Sequence, residues 1–168
     1  HQDREGYFWI GTTNGLARYD GYQLNTFRTD YKNQNLLTDN GITAINDNDL
    51  YVWIGTWKGL NLYNKQTCRI TPFSDARLLD KVVDAITVDK DGNVWVSAGG
   101  MIYRCDSTAH IIKEYEVGNI QEGYAISNIY VDQQKQLWAV GSRGIFRYEP
   151  ETDSFFRYPP LGNGHTAY

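Results

Sequence analysis

Residues 9–20 read WIGTTNGLARYD and residues 53–64 read WIGTWKGLNLYN, nearly the same twelve letters twice in one chain. The tryptophans extend the series outward: Trp9, Trp53, Trp95 and Trp138 are separated by 44, 42 and 43 residues. The third and fourth copies, WVSAGGMIYRCD and WAVGSRGIFRYE, keep small residues after the Trp, a glycine near the middle and an apolar–polar run beyond it. A fixed period of this size marks a chain built by repeating one supersecondary unit. The fifth tryptophan, Trp57, lies outside the register.

Agreement continues upstream. Six residues before each repeated Trp stands an aspartate, namely Asp3, Asp47, Asp89 and Asp132, and we expect each to accept backbone N–H bonds in an Asx-type turn. Before the aspartate comes a short apolar segment, as in ITAI at 42–45, VVDAITV at 82–88 and ISNIYV at 126–131. The second repeat is one residue shorter here: Ile42 precedes its Trp by eleven positions, Val83 and Ile126 theirs by twelve. Each unit parses into four short strands divided by turn signals, the last being YQLNTF, CRITPF, HIIKEYE or SFFRYP.

Helical and leucine-rich solenoids have related periods, but these segments are rich in Val, Ile, Tyr, Trp, Phe and Thr at period two, without capped helical windows. The predicted fold class is all-β: a β-propeller fragment of about four four-stranded antiparallel blades, with repeats over roughly 1–30, 41–75, 82–118 and 125–160. The first blade is expected to be incomplete, because HQD at 1–3 stands where YVD stands in the fourth repeat. The chain stops at HTAY, just before another first-type strand is due. Both ends would then present an uncovered blade face, so the fragment is expected to pair with a second copy or to close on itself.

The repeated letters have physical roles. A Trp at one place in every unit is a large apolar plate, read here as core between blades: Trp9, Trp53, Trp95 and Trp138. Gly11, Gly55 and Ser97, two residues on, leave room for the adjoining blade. Asn14–Gly15 suggests a hairpin whose two central residues both have positive φ, with Gly59 and Gly144 in equivalent places. The third repeat has Gly99 and Gly100 followed by Met101, so a differently shaped hairpin is expected.

Composition excludes several classes. A net charge of −4 and a pI near 5.3, without a clustered basic face, argue against nucleic acid. No stretch approaches the roughly 18 apolar residues of a membrane span, and the first residues lack a signal-peptide layout. Cys68 and Cys105 fit neither a zinc nor a redox spacing, and His1, His110 and His165 are isolated, so neither metal nor cofactor is expected. DKDG at 89–92 starts like a calcium loop, but the later ligands do not follow. No nucleophile elbow or acid/base pair appears, so no catalytic residue is assigned.

The strand ending in Asp, the Gly-containing turn, WIGT, the GL pair and the Tyr-Asp together resemble the two-component regulator propeller repeat. DREGYFWIGTTNGLARYDGYQLNTF at 3–27 and TAINDNDLYVWIGTWKGLNLYN at 43–64 carry the likeness best; VSAGG and AVGSR depart from it. The resemblance implies a segment of the periplasmic sensor of a bacterial hybrid two-component system of the Bacteroidetes type, with further blades as neighbours. Many such sensors respond to oligosaccharides. The kinase and DNA-binding parts implied by the family are not in these residues.

Propeller ligands usually meet the end that carries the second-to-third-strand hairpins and the connections between blades. Those hairpins offer Thr13, Asn14, Trp57, Lys58, Ser142 and Arg143, and the connections add Tyr31, Arg77 and Tyr124. Trp57 stands out, because a flat aromatic at a hairpin tip beside polar groups suits sugar recognition. The competing reading is that it covers a neighbouring loop or contacts protein, in a module that binds no small molecule.

Overall fold

The computed structural model describes residues 1–29, 36–117, 126–142 and 144–158. The first sheet holds β1 (Phe8–Thr12), β2 (Gly15–Tyr19) and β3 (Leu24–Phe27). The second holds β4 (Ile42–Asp47), β5 (Tyr51–Thr56), β6 (Gly59–Asn64) and β7 (Arg69–Pro72). The third holds β8 (Val83–Val88), β9 (Val94–Ala98), β10 (Met101–Cys105) and β11 (Ile111–Glu116), and the fourth β12 (Ile126–Val131), β13 (Leu137–Gly141), β14 (Gly144–Glu149) and β15 (Ser154–Tyr158). Every sheet is an antiparallel meander in chain order, and the inner strands β4, β8 and β12 stand side by side. This is four blades of a β-propeller. A 3-10 turn, Ala76–Leu78, is the one helical segment among the described residues, and none there is long and apolar enough to cross a membrane.

The first blade lacks its inner strand, as the repeat count implies. His1 and Gln2 supply the last part of it: the Trp9 N–H donates to the His1 carbonyl at 2.7 Å, and Gln2 bridges Phe8. Asn46, Thr87 and Tyr130 hold the same place opposite Trp53, Trp95 and Trp138.

Three apolar clusters fill the three seams between consecutive blades; no cluster joins the fourth blade to the first among the described residues. Trp9, Trp53 and Trp95 are at most 1% exposed. Each pairs across its own sheet with an aromatic in or just after the outermost strand: Trp9 with Phe27, Trp53 with Phe73, Trp95 with Tyr115, at centroid distances of 6.1, 6.1 and 5.4 Å. Trp138 repeats the arrangement with Tyr158 at 5.3 Å, on a blade whose outer face no further sheet covers among the described residues.

The small residue after each Trp is explained by the seam. A Cβ added to Gly11 would lie 2.6 Å from Ile42 Cγ2, and one added to Gly55 would lie 2.6 Å from Val83 Cγ1. These glycines let the next inner strand press its first apolar side chain onto bare backbone. Ser97 fits the same space and donates its hydroxyl to the Ile126 carbonyl at 3.1 Å. The Thr that ends WIGT also acquires a reason: Thr12 and Thr56 each donate Oγ1 to the carbonyl three residues on and accept the N–H two residues on, tying their hairpins.

The aspartates behave as expected in three blades. Oδ1 of Asp3, Asp89 and Asp132 each accepts two turn N–H groups, and Oδ2 accepts the Trp Nε1–H at 2.7–2.8 Å. Asp47 does not. The second repeat's turn is one residue shorter, so Asn48 takes the turn role, accepting the Leu50 and Tyr51 N–H groups. Asparagine has one oxygen, and its other terminus is a donor, which here serves the Ser107 carbonyl. Trp53 Nε1 is consequently buried without an acceptor, at a cost of about 1–3 kcal/mol. Asp47 turns instead into the first seam, buried against Lys65 at 2.8 Å and His1 at 2.7 Å.

Hairpin geometry also corrects the expectation drawn from Asn14–Gly15. Thr12 pairs Gly15, so Thr13 and Asn14 form the loop with ordinary φ, and only Gly15 is left-handed, at φ 115°. The third blade does differ, and it is there that both central residues, Gly99 and Gly100, have positive φ. Cys68 and Cys105 are unpaired; burial pushes the Cys105 thiol up to about 12, so it stays protonated.

If close approach at Trp+2 sets the seam, Gly55→Ala must push β8 away. Urea denaturation should show a loss of about 1–3 kcal/mol, and an unchanged midpoint would refute this role for the glycine.

Candidate functional site

The second-to-third-strand hairpins and the connections between blades share one end of the array, here called the upper end. The connection into the second blade braces two hairpins at once. Consecutive carbonyls of Asn40 and Gly41 accept the Gly15 and Trp57 N–H groups at 2.8 and 3.1 Å. Asn40 Oδ1 accepts the Thr29 N–H, Asp39 Oδ1 accepts the Gly41 N–H, and Arg28 Nε donates to the Asn14 carbonyl. Below them Asn61, fully buried, exchanges two bonds with Thr38, whose Oγ1 also meets Thr56. The structure therefore brings Asn14, Trp57 and Lys58 to one place, the upper end of the first seam.

Trp57 has a packing role that its hairpin position conceals. A Cβ built on Gly41 would lie 2.4 Å from Cε3 and 2.5 Å from Cδ2 of its indole, so the ring lies across bare glycine backbone. The side chain is nevertheless 51% exposed. The indole is seated on Gly41 and half-exposed, the arrangement of a stacking platform held at fixed height. Lys58, next in the chain, and Asn14, on the hairpin braced by the same connection, are exposed. The packing partner Gly41 ends the turn signal DNG at 39–41, which marks a connection but carries no sign of a contact with Trp57. Arg77 is elsewhere, at the second seam, paired with Asp75 at 2.7 Å. Tyr31, Tyr124 and Arg143 lie outside the described residues.

At the opposite, lower end the seams carry charge beneath the tryptophans. Arg18 lies 4.7 Å from the Tyr7 ring centroid and 5.9 Å from that of Trp9; Arg104 lies 5.6 Å from that of Trp95. In the third seam Asp153 gathers Lys113 and the hydroxyls of Tyr115 and Tyr148, all at 2.6 Å. Burial works against the Asp153 charge, but the Lys113 ammonium and the two hydroxyls outweigh it and hold the carboxyl at about 2. The folded carboxyl thus titrates below its ordinary 3.8, so its stabilisation is complete above that pH and is lost as pH falls through about 2. Acid unfolding should be less steep in Asp153→Asn between pH 4 and 2, and an identical acid limb would remove Asp153 from this role.

No protein-family model and no curated protein match the chain. Solved structures do. The chain is similar to the extracellular domain of a candidate hybrid two component system, BT4673, from B. thetaiotaomicron, with 22% identity and a TM-score of 0.71 over 90% of this chain and 20% of that one. It is similar to the corresponding domain of BT3049 from the same organism, with 21% identity and a TM-score of 0.72 over 94% of this chain and 22% of that one. Virginiamycin B lyase from Staphylococcus aureus gives 15% identity and a TM-score of 0.71, over 96% of this chain and 55% of the lyase. The chain spans about a fifth of the length of the two sensor domains. What these likenesses have in common, and what they establish for this chain, is the β-propeller fold.

Proposed function

We propose that the chain is a ligand-sensing segment of the extracytoplasmic, periplasmic sensor of a hybrid two-component system, and that an oligosaccharide meets it at the upper end of the first seam. The observation that carries the reading is Trp57, half-exposed with its indole seated on Gly41, with exposed Lys58 next in the chain and exposed Asn14 on the hairpin braced by the same connection. A sugar ring offers C–H groups to such a face while its hydroxyls need polar partners at the edge, and both are present. The repeat resemblance and the likeness to extracellular sensor domains support the sensor context. Binding on an oligosaccharide array should fall at least about tenfold in Trp57→Ala, with the melting temperature little changed. An unaltered array profile would refute the site.

A second reading, a protein-interaction module without small-molecule ligand, is favoured by the two end faces. Phe8, Ile10, Tyr19 and Leu24 are 37–58% exposed on the first blade, where their counterparts Val52, Ile54, Tyr63 and Ile70 are at most 3% exposed in a seam. Ile145, Phe156 and Tyr158 are 44–50% exposed on the fourth. Faces of this kind bury themselves against further blades or a second copy. Light scattering on a sizing column should report about twice the 19.3 kDa chain mass; a monodisperse monomer would eliminate the homodimer.

A further inference from the structure

The lower end of the third seam contains a cavity of about 250 Å³ that opens among the β8–β9, β12–β13 and β14–β15 turns. It is smaller than the ~300–1,000 Å³ of sites for drug-sized ligands, which suits a single ring. Leu137, Tyr148 and Pro150 give it apolar wall, and Lys90, Arg104 and Lys135 give it positive charge.

One of these cations is unusual within the repeat. Lys135 occupies the fourth position of its turn, its N–H donating to the Asp132 carbonyl just as Gly6 and Gly92 donate to Asp3 and Asp89. All three are left-handed, at φ 65°, 94° and 82°. Glycine enters that conformation freely and lysine does not, so the fourth blade keeps a strained residue where its relatives avoid one. Its ammonium has no partner among the described residues. Retained strain at the lip of a cavity points to use rather than to packing.

Arg104 is the second cation at the cavity. It sits across the sheet from Trp95, as Arg18 and Arg147 sit opposite Trp9 and Trp138, and the second blade has Leu62 at this position. Its Nε is buried without a partner, while Nη1 makes a long ion pair with Asp153 at 3.9 Å.

The acids that line the cavity are already engaged. Asp153 is bonded by Lys113, Tyr115 and Tyr148. Both oxygens of Asp89 are filled by N–H groups of the turn, Asn93 and Trp95, and Asp91 faces Lys90 at 3.9 Å. Arg104 shares Asp153 with the closer Lys113, and Lys135 has no carboxylate partner among the described residues.

We propose that this cavity binds the anionic group of a small, single-ring acid, the charge shared by Arg104 and Lys135 and the ring resting on the apolar wall. A guanidinium and an ammonium together recognise a carboxylate or a sulfate, so an acidic sugar is the class of ligand that fits. The site is on the opposite end of the array from Trp57 and does not depend on the reading given to that residue.

Calorimetric titration of the 168-residue chain with sodium glucuronate, with glucose as the neutral control, tests the proposal. Saturable binding of glucuronate is expected, with none of glucose, weakening as salt is raised and displaced by sodium sulfate. Lys135→Gly installs the residue of the first and third blades, and Arg104→Leu that of the second, so both substitutions are compatible with a folded blade. Each should lower glucuronate affinity at least about tenfold, while Trp57→Ala leaves it unchanged. Absence of glucuronate binding, equal binding of glucose, failure of sulfate to compete, or full affinity in Lys135→Gly would overturn the assignment.

Discussion

The array depends on one close contact, repeated at each seam: the first apolar residue of an inner strand pressed onto the backbone of the preceding blade two residues after its tryptophan. Ile42 on Gly11 and Val83 on Gly55 leave no space for a Cβ, and Ser97 is tolerated because its hydroxyl bonds the Ile126 carbonyl. That approach brings the sheets near enough for each tryptophan to be covered on both sides. Without it the largest side chains of the chain would face a gap, and the burial of Trp9, Trp53 and Trp95 would fail together. The fourth blade carries Val140 at this place, so whatever packs against it must do so without the same approach.

The tryptophans then impose a second requirement. A buried indole N–H needs an acceptor, and the aspartate six residues earlier is the one group that serves the turn with one oxygen and the ring with the other. In the second repeat the turn loses a residue and this division of labour breaks down. Asn48 satisfies the turn but has no second oxygen, Trp53 goes without, and Asp47 is released to form a buried pair with Lys65. The three seams share one frame but differ in charge, and those differences, rather than the frame, separate one seam from another chemically.

Much of this is legible in residues 9–20 and 53–64. The period of the tryptophans, the alternation around them and the glycine two positions on define blades, their order and the missing inner strand, since each is a local pattern repeated along the chain. Trp57 is legible as an outlier from the register. Its support by Gly41 is not, because that contact joins a hairpin to a connection sixteen residues earlier. The role of Asp47 escapes the pattern for a related reason: its spacing to the tryptophan matches the other repeats, while the turn between them is shorter. The left-handed Lys135 is invisible as well, since a lysine letter in a polar turn carries no sign of its φ.

The sequence by itself determined the all-β class, the number of repeats, the Trp-centred seams and the incompleteness of the first blade. These arise from periodicity and from side-chain size, which are properties of the chain read locally. Tertiary structure alone decided how Trp57 is covered, which aspartate meets which partner, and how Arg104 and Lys135 come to line one cavity. Those outcomes depend on contacts between blades, where a shift of one residue in a turn or one positive φ redirects a side chain that the repeat pattern had placed elsewhere.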